Sequence, residues 1–135
     1  MTPQLDRMAP HALGVLRIVA ALLFIEHGSM KLFGFPAAME GGNVALFSLF
    51  GLAAILELVG GALLLVGLFT RPVAFLLAGE MAVAYWMAHA PQNLHPILNG
   101  GESAILFCFV FLYLVFAGPG AFSLDGRRAA VPARI

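Results

Sequence analysis

ALGVLRIVAALLFIEHGSMKLF, residues 12–33, is the stretch whose reading decides the fold. It is long enough to cross a bilayer, which takes about 20 mostly apolar residues. Yet it carries four ionisable side chains, Arg17, Glu26, His27 and Lys31. A charge at bilayer depth costs about 2.5–3.5 kcal/mol on insertion scales, so such groups are normally kept where they face a bundle interior and find partners. A transmembrane helix with a working inner face is therefore expected. At about 100° per residue, His27 and Lys31 lie one turn apart on one face, and Gly28 falls within about 20° of Arg17. Glu26 points nearly opposite Arg17, so these two cannot pair within the helix and Glu26 needs another helix or water. The blander arrangement has Arg17 snorkelling to one interface while Glu26, His27 and Lys31 sit at the other.

Composition extends that expectation to the whole chain. With 135 residues, a mean hydropathy of +0.97, 61% hydrophobic and only 10% charged residues, it lies far from the soluble average of about 25% charged. An integral membrane protein follows, of a length that leaves no room for a separate soluble catalytic module. The formal net charge is zero, which gives no electrostatic basis for nucleic-acid binding. The single cysteine, Cys108, excludes an internal disulfide and any two-cysteine redox cycle within one copy. Set between Phe107 and Phe109, it reads as an inert core thiol. The first run resembles a signal peptide only superficially, being too long, interrupted by charges and without a small-x-small cleavage site before Lys31, and is expected to stay uncleaved.

Outward from the first run, residues 1–11 read as a short polar entry and GFPAAMEGGNV (34–44) as a loop, with room for a brief helical turn after Pro36. Further apolar runs cover about 45–69, 72–90 and 102–117, and a basic tail occupies 118–135. Pro72 suits the first position of the third helix. PQNLHPILNGG (91–101) is a loop with two prolines and two glycines. These connections predict an all-α, four-transmembrane-helix antiparallel up-down bundle in one membrane domain spanning 1–135. Its one competitor is three spans with a re-entrant segment. Arg7, Arg71, Arg127, Arg128 and Arg134 fall on one side and Lys31 near the other, so both termini are expected in the cytoplasm.

Each run contributes one glutamate: Glu26, Glu57, Glu80 and Glu102. On the second run Ala53, Gly60 and Gly67 recur every seven residues, a stripe that lets a neighbour approach closely and buries the adjacent Glu57. Depth counted from the run ends gives two polar layers. The inner one holds Arg17, Glu57 and Glu80. There Arg17 is expected to pair with Glu57 or Glu80, either as a structural ion pair or as part of a proton path through the less compensated carboxylate. The outer layer gathers Glu26, His27, Lys31, His89, His95 and Glu102. Its candidate chemistry is contact with a quinone head group in an aromatic-lined apolar cleft, for which Phe24, Phe33, Tyr85, Trp86 and Phe107 are available. A metal is not expected, because di-metal bundles use Glu-x-x-His pairs and none occurs. HExxH, CxxC, P-loop and GxGxxG patterns are also absent.

With those residues in place, the chain resembles the DoxX family of small four-span membrane proteins. The resemblance rests on Arg17 with HGSMK (27–31), ELVGGALLLVGLFTRP (57–72), the glutamate opening the fourth run, and GPGAFSLDGRR (118–128). It implies membership of membrane oxidoreductase systems, since the family includes a subunit of a thiosulfate to quinone oxidoreductase and a partner in a membrane-bound thiol and oxidative-stress defence complex. The family offers no established catalytic residues to transfer. The expectation is thus a multi-pass subunit in the cell (inner) membrane that meets the quinone pool, with Arg17, Glu57 and Glu80 handling protons and Glu26, His27, Lys31, His89 and Glu102 around the cofactor. Without a flavin, haem or dithiol signature, electrons would come from a protein partner, and further copies of the chain are conceivable neighbours. The alternatives are a non-catalytic anchor or assembly factor for a soluble oxidoreductase, and a small-solute or proton pathway.

Overall fold

The structure, a computed structural model, describes residues 3–130. Its helices are α1 (Pro3–Phe33), α2 (Leu49–Val66), α3 (Thr70–Ala84) continuing into a π turn (Tyr85–His89), α4 (Pro96–Asn99), α5 (Glu102–Ala117) and α6 (Leu124–Ala130). No strand occurs among the described residues. α1 and α2 are long and apolar enough to cross a membrane, and α5 is apolar but shorter. Only 28% and 33% of the apolar windows of α1 and α2 are buried, whereas the core helix of a soluble protein would be mostly covered. The outward faces carry Val15, Val19, Leu22, Phe75, Leu76, Phe109 and Phe116, side chains suited to hydrocarbon.

Small residues set the packing. A Cβ on Gly28 would meet the Ala54 carbonyl and Leu58 Cγ, both at 2.8 Å, and one on Gly61 would meet Ile25 Cγ1 at 2.7 Å. α1 and α2 thus touch almost backbone to backbone and run in opposite senses, position 28 lying against 54 and 57 and position 25 against 61. α3 packs on α5 and, less extensively, on α2. Phe24, Leu64, Leu77, Phe111 and Leu114 are fully buried between the helices, with Phe24 edge-on to Phe111 at 4.9 Å.

Several boundaries differ from the sequence expectation for physical reasons. α1 starts at Pro3 and runs through Pro10, whose carbonyl accepts the Ala121 N–H at 2.8 Å. α2 is shorter than 45–69. Ser48 caps its start by accepting the Gly51 N–H at 3.0 Å, and Gly67 ends it at φ 68°, in left-handed space where an L side chain is strained. α3 begins at Thr70, so Pro72 sits third in the helix, still within the first turn whose N–H groups have no helical partner. The 91–101 loop contains α4, and α6 lies within the tail. Positions 36–37 bend without forming the helical turn for which the sequence left room after Pro36.

Candidate functional site

Arg17 is fully buried and pairs with neither Glu57 nor Glu80. Its Nη1 donates to the carbonyls of Leu64 (2.8 Å) and Leu65 (3.3 Å), and Nη2 to those of Ala121 (3.2 Å) and Phe122 (2.9 Å). The reason is register. Glu57 lies beside Gly28, eleven residues from Arg17, or about 16 Å along α1 at 1.5 Å per residue. At Arg17's own height α2 is ending and offers its last-turn carbonyls, that of Leu64 shared with the Gly67 N–H, at the negative end of its dipole. Arg71 does the same for α5, donating to Val115 and Phe116 at 2.5 and 2.7 Å. The sequence predicts Arg17 as half of an ion pair and Gly67 as part of a packing stripe; a glycine three residues ahead of Thr70-Arg71-Pro72 was the available signal that a helix end lay near.

The partner of Glu57 is Lys31, which the sequence placed in the outer layer. Its Nζ lies 2.5 Å from Glu57 Oε1. Glu57 is 1% exposed, and its Oε2 has no hydrogen-bond partner. Glu80 has neither carboxylate oxygen satisfied, though both are buried. Glu57 and Lys31 are the charged groups that act on it. One cation therefore serves two carboxylates. Glu80 and Lys31 also line a groove of about 490 Å³ between α2 and α3.

The outer residues divide. Glu26 and His27 line a second cleft, about 320 Å³, with Leu23, Met30, Ser103 and Phe107. His27 stands edge-on to Phe107, ring centres 5.7 Å apart at 90°. Neither Lys31, His89 nor Glu102 lines this cleft. His89 Nδ1 is 2.9 Å from the Asn99 carbonyl and its ring stacks on Tyr85, while His95 and Glu102 are exposed. Of the five aromatics named from sequence, Phe107 alone lines the cleft. Phe24 packs behind it at 5.4 Å, and Phe33 and Trp86 point outward. No group of three or more His, Cys, Asp or Glu among the described residues is arranged to hold a metal ion.

The DoxX family profile matches residues 12–90, from α1 through the π turn and more than half of the chain. An uncharacterised protein of Haemophilus influenzae is 46% identical over 127 residues, 91% of this chain and 95% of that protein. Two inner membrane proteins of Escherichia coli are also similar. YphA is 29% identical over 87% of this chain and 91% of its own length, and YqjF is 32% identical over 82% and 87%. No solved structure matches. Its apolar outer faces and these relatives make the chain an inner-membrane protein, and the profile match means that it belongs to the DoxX family.

Proposed function

We propose that the chain is the integral-membrane subunit of a redox system that meets the quinone pool and takes electrons from a partner protein. The supporting observation is the cleft in which His27 stands edge-on to Phe107 beside Glu26 and Ser103. Apolar and aromatic walls with a few convergent polar groups are what a quinone head group requires. The residues fit it: the His27 ring and the Ser103 hydroxyl can donate to a carbonyl oxygen, and Glu26 can accept from a hydroxyl. A bound quinone would supply a couple of two electrons and two protons. In this proposal Glu57 and Glu80, with one lysine between them, hold and release protons in the interior, a role in which Lys31 replaces Arg17. The same interior carboxylates, Glu80 being without a hydrogen-bond partner, favour the second reading, a proton pathway in its own right.

The accompanying topology is a single membrane domain, residues 1–135, with four antiparallel spans in α1, α2, α3 with its π turn, and α5, and with both termini cytoplasmic. Ties that gather the arginines support it. Asp125 accepts N–H groups of Phe69 and Thr70, and the Pro10 carbonyl accepts that of Ala121, which brings Arg7, Arg71, Arg127 and Arg128 to one end. Arg134 lies outside the described residues. Labelling of a cysteine at position 40 in a Cys108→Ala background reads the sidedness, and modification from the cytoplasm alone would reverse the orientation.

His27→Leu tests the functional reading. Leucine suits a helix at lipid depth, so the variant is expected to keep its melting temperature and lose co-purified quinone. A variant destabilised by about 1–3 kcal/mol, the cost of a stranded polar partner, with full quinone content would leave the anchor as the better account.

A further inference from the structure

We propose that the groove between α2 and α3 binds a lipophilic monovalent cation drawn from the membrane. Phe50 and Ala53 of α2 and Phe75 and Gly79 of α3 are among its walls, and Lys31 and Glu80 are its charged lining. Phe50 and Phe75 are 57% and 68% exposed, so the groove opens onto the apolar face rather than toward water.

Charge selects the occupant. Lys31 is the chain's only lysine and is engaged by Glu57, which leaves Glu80 with no hydrogen-bond partner and the trio one negative charge in excess. Among the described residues no arginine makes up the difference. Arg17 and Arg71 are committed to helix-end carbonyls at the far end of the molecule. The one charged residue of α5, Glu102, is exposed in its first turn and would add to the excess rather than relieve it.

A hard inorganic cation such as calcium or magnesium is a poor fit, because it takes a shell of about six or more oxygen ligands and the walls are hydrocarbon. A cation whose charge is spread over an apolar body needs no hydrogen bond, so it can act on Glu80 although the carboxylate oxygens lie beneath the groove surface. Attraction between charges is strong in such a low-dielectric setting, and the rings of Phe50 and Phe75 offer faces to a cation. Without the ligand, the excess charge is met by a proton on the carboxylate pair, which leaves for water when the cation binds.

The probe is tetraphenylphosphonium, measured by equilibrium dialysis against the purified full-length protein in detergent, with tetraphenylborate as the anion of matching shape. One saturable phosphonium site per chain is expected, and no borate site. Glu80→Gln should weaken phosphonium binding at least tenfold. Gly79→Phe should do the same with both carboxylates intact, since a Cβ at Gly79 meets nothing within 4 Å and the ring can fill the groove without disturbing the helices. If Glu80→Gln fails to fold, Gly79→Phe decides. Unsaturable uptake, equal binding of the borate, or full phosphonium affinity in Gly79→Phe would each overturn the proposal.

Discussion

At the scale of single residues, the burial of Glu57 was legible and its partner was not. The glycines around it announced a face pressed against another helix, and a carboxylate on such a face must be compensated. Which cation compensates it depends on the register of α1 against α2, fixed where Gly28 meets Ala54 and Glu57. That contact carries no periodic signal, and depth counted from run ends misplaced it. The pairing predicts a specific non-additivity. Lys31→Met and Glu57→Gln should each cost about 2–3 kcal/mol, somewhat below the figure for a fully buried pair because the lysine side chain is 20% exposed. The double variant should recover about 1–2 kcal/mol of the sum, the coupling expected of groups in contact. Combining Arg17→Met with Glu57→Gln should be additive within about 0.5 kcal/mol. Denaturant unfolding in detergent measures all five variants, and additive losses for Lys31 and Glu57 would rule their contact out.

At the scale of elements, stop signals encoded by glycine were readable and those imposed by distant contacts were not. α5 runs over Glu102–Ala117, the limits read from Gly101 and Gly118-Pro119. The start of α1 was hidden because Pro10 removes an N–H from the helix ladder and looks like a terminator, although the helix runs through it and its carbonyl ties down the Ala121 N–H. The seven-residue α6 is too short and polar to be stable alone. It is held by Asp125 donating its N–H to the Gly67 carbonyl while its carboxylate caps α3. Two glycines of similar helical context now separate by what surrounds them. Gly28→Ala pushes a methyl to within 2.8 Å of the Ala54 carbonyl, backbone that cannot swing away. The two helices must part, at a cost of about 1–3 kcal/mol. Gly79→Ala adds a methyl into open space and should be neutral or stabilising by up to about 1 kcal/mol through helix propensity. Melting temperatures of the two variants, taken side by side, check the contrast, and equal effects would mean that the close approach of α1 and α2 is absent.

Across the whole molecule, the two ends are built on different chemistry, and only one difference was visible beforehand. The Lys31 end holds the Lys31–Glu57 pair, the partnerless Glu80 and the His27 cleft; residue types alone suggested the grouping of Glu26 with His27, whereas Glu57 and Glu80 were expected beside Arg17. The Arg17 end is a clasp of carbonyls, helix termini and the segment 118–130, and its organisation emerges only when the chain returns to its own beginning. Asp125 is the clasp's titratable member. Burial pushes its pKa up, but the N–H groups of Thr70 and Phe69 and the charge of Arg128 outweigh that and hold it below the ordinary aspartate value. A carboxyl lowered in the folded state stabilises fully above its unfolded pKa, about 3.9. That contribution fades as pH falls through the lower folded value. Asp125→Asn should therefore cost about 1 kcal/mol at pH 7, in the range of a lost helix cap, and the difference from the parent should shrink as the pH is brought below about 4. Thermal unfolding of parent and variant between pH 7 and pH 3 gives the comparison. A gap that stays constant over that range would show that the Asp125 carboxylate does not hold the first turn of α3 to the C-terminal segment.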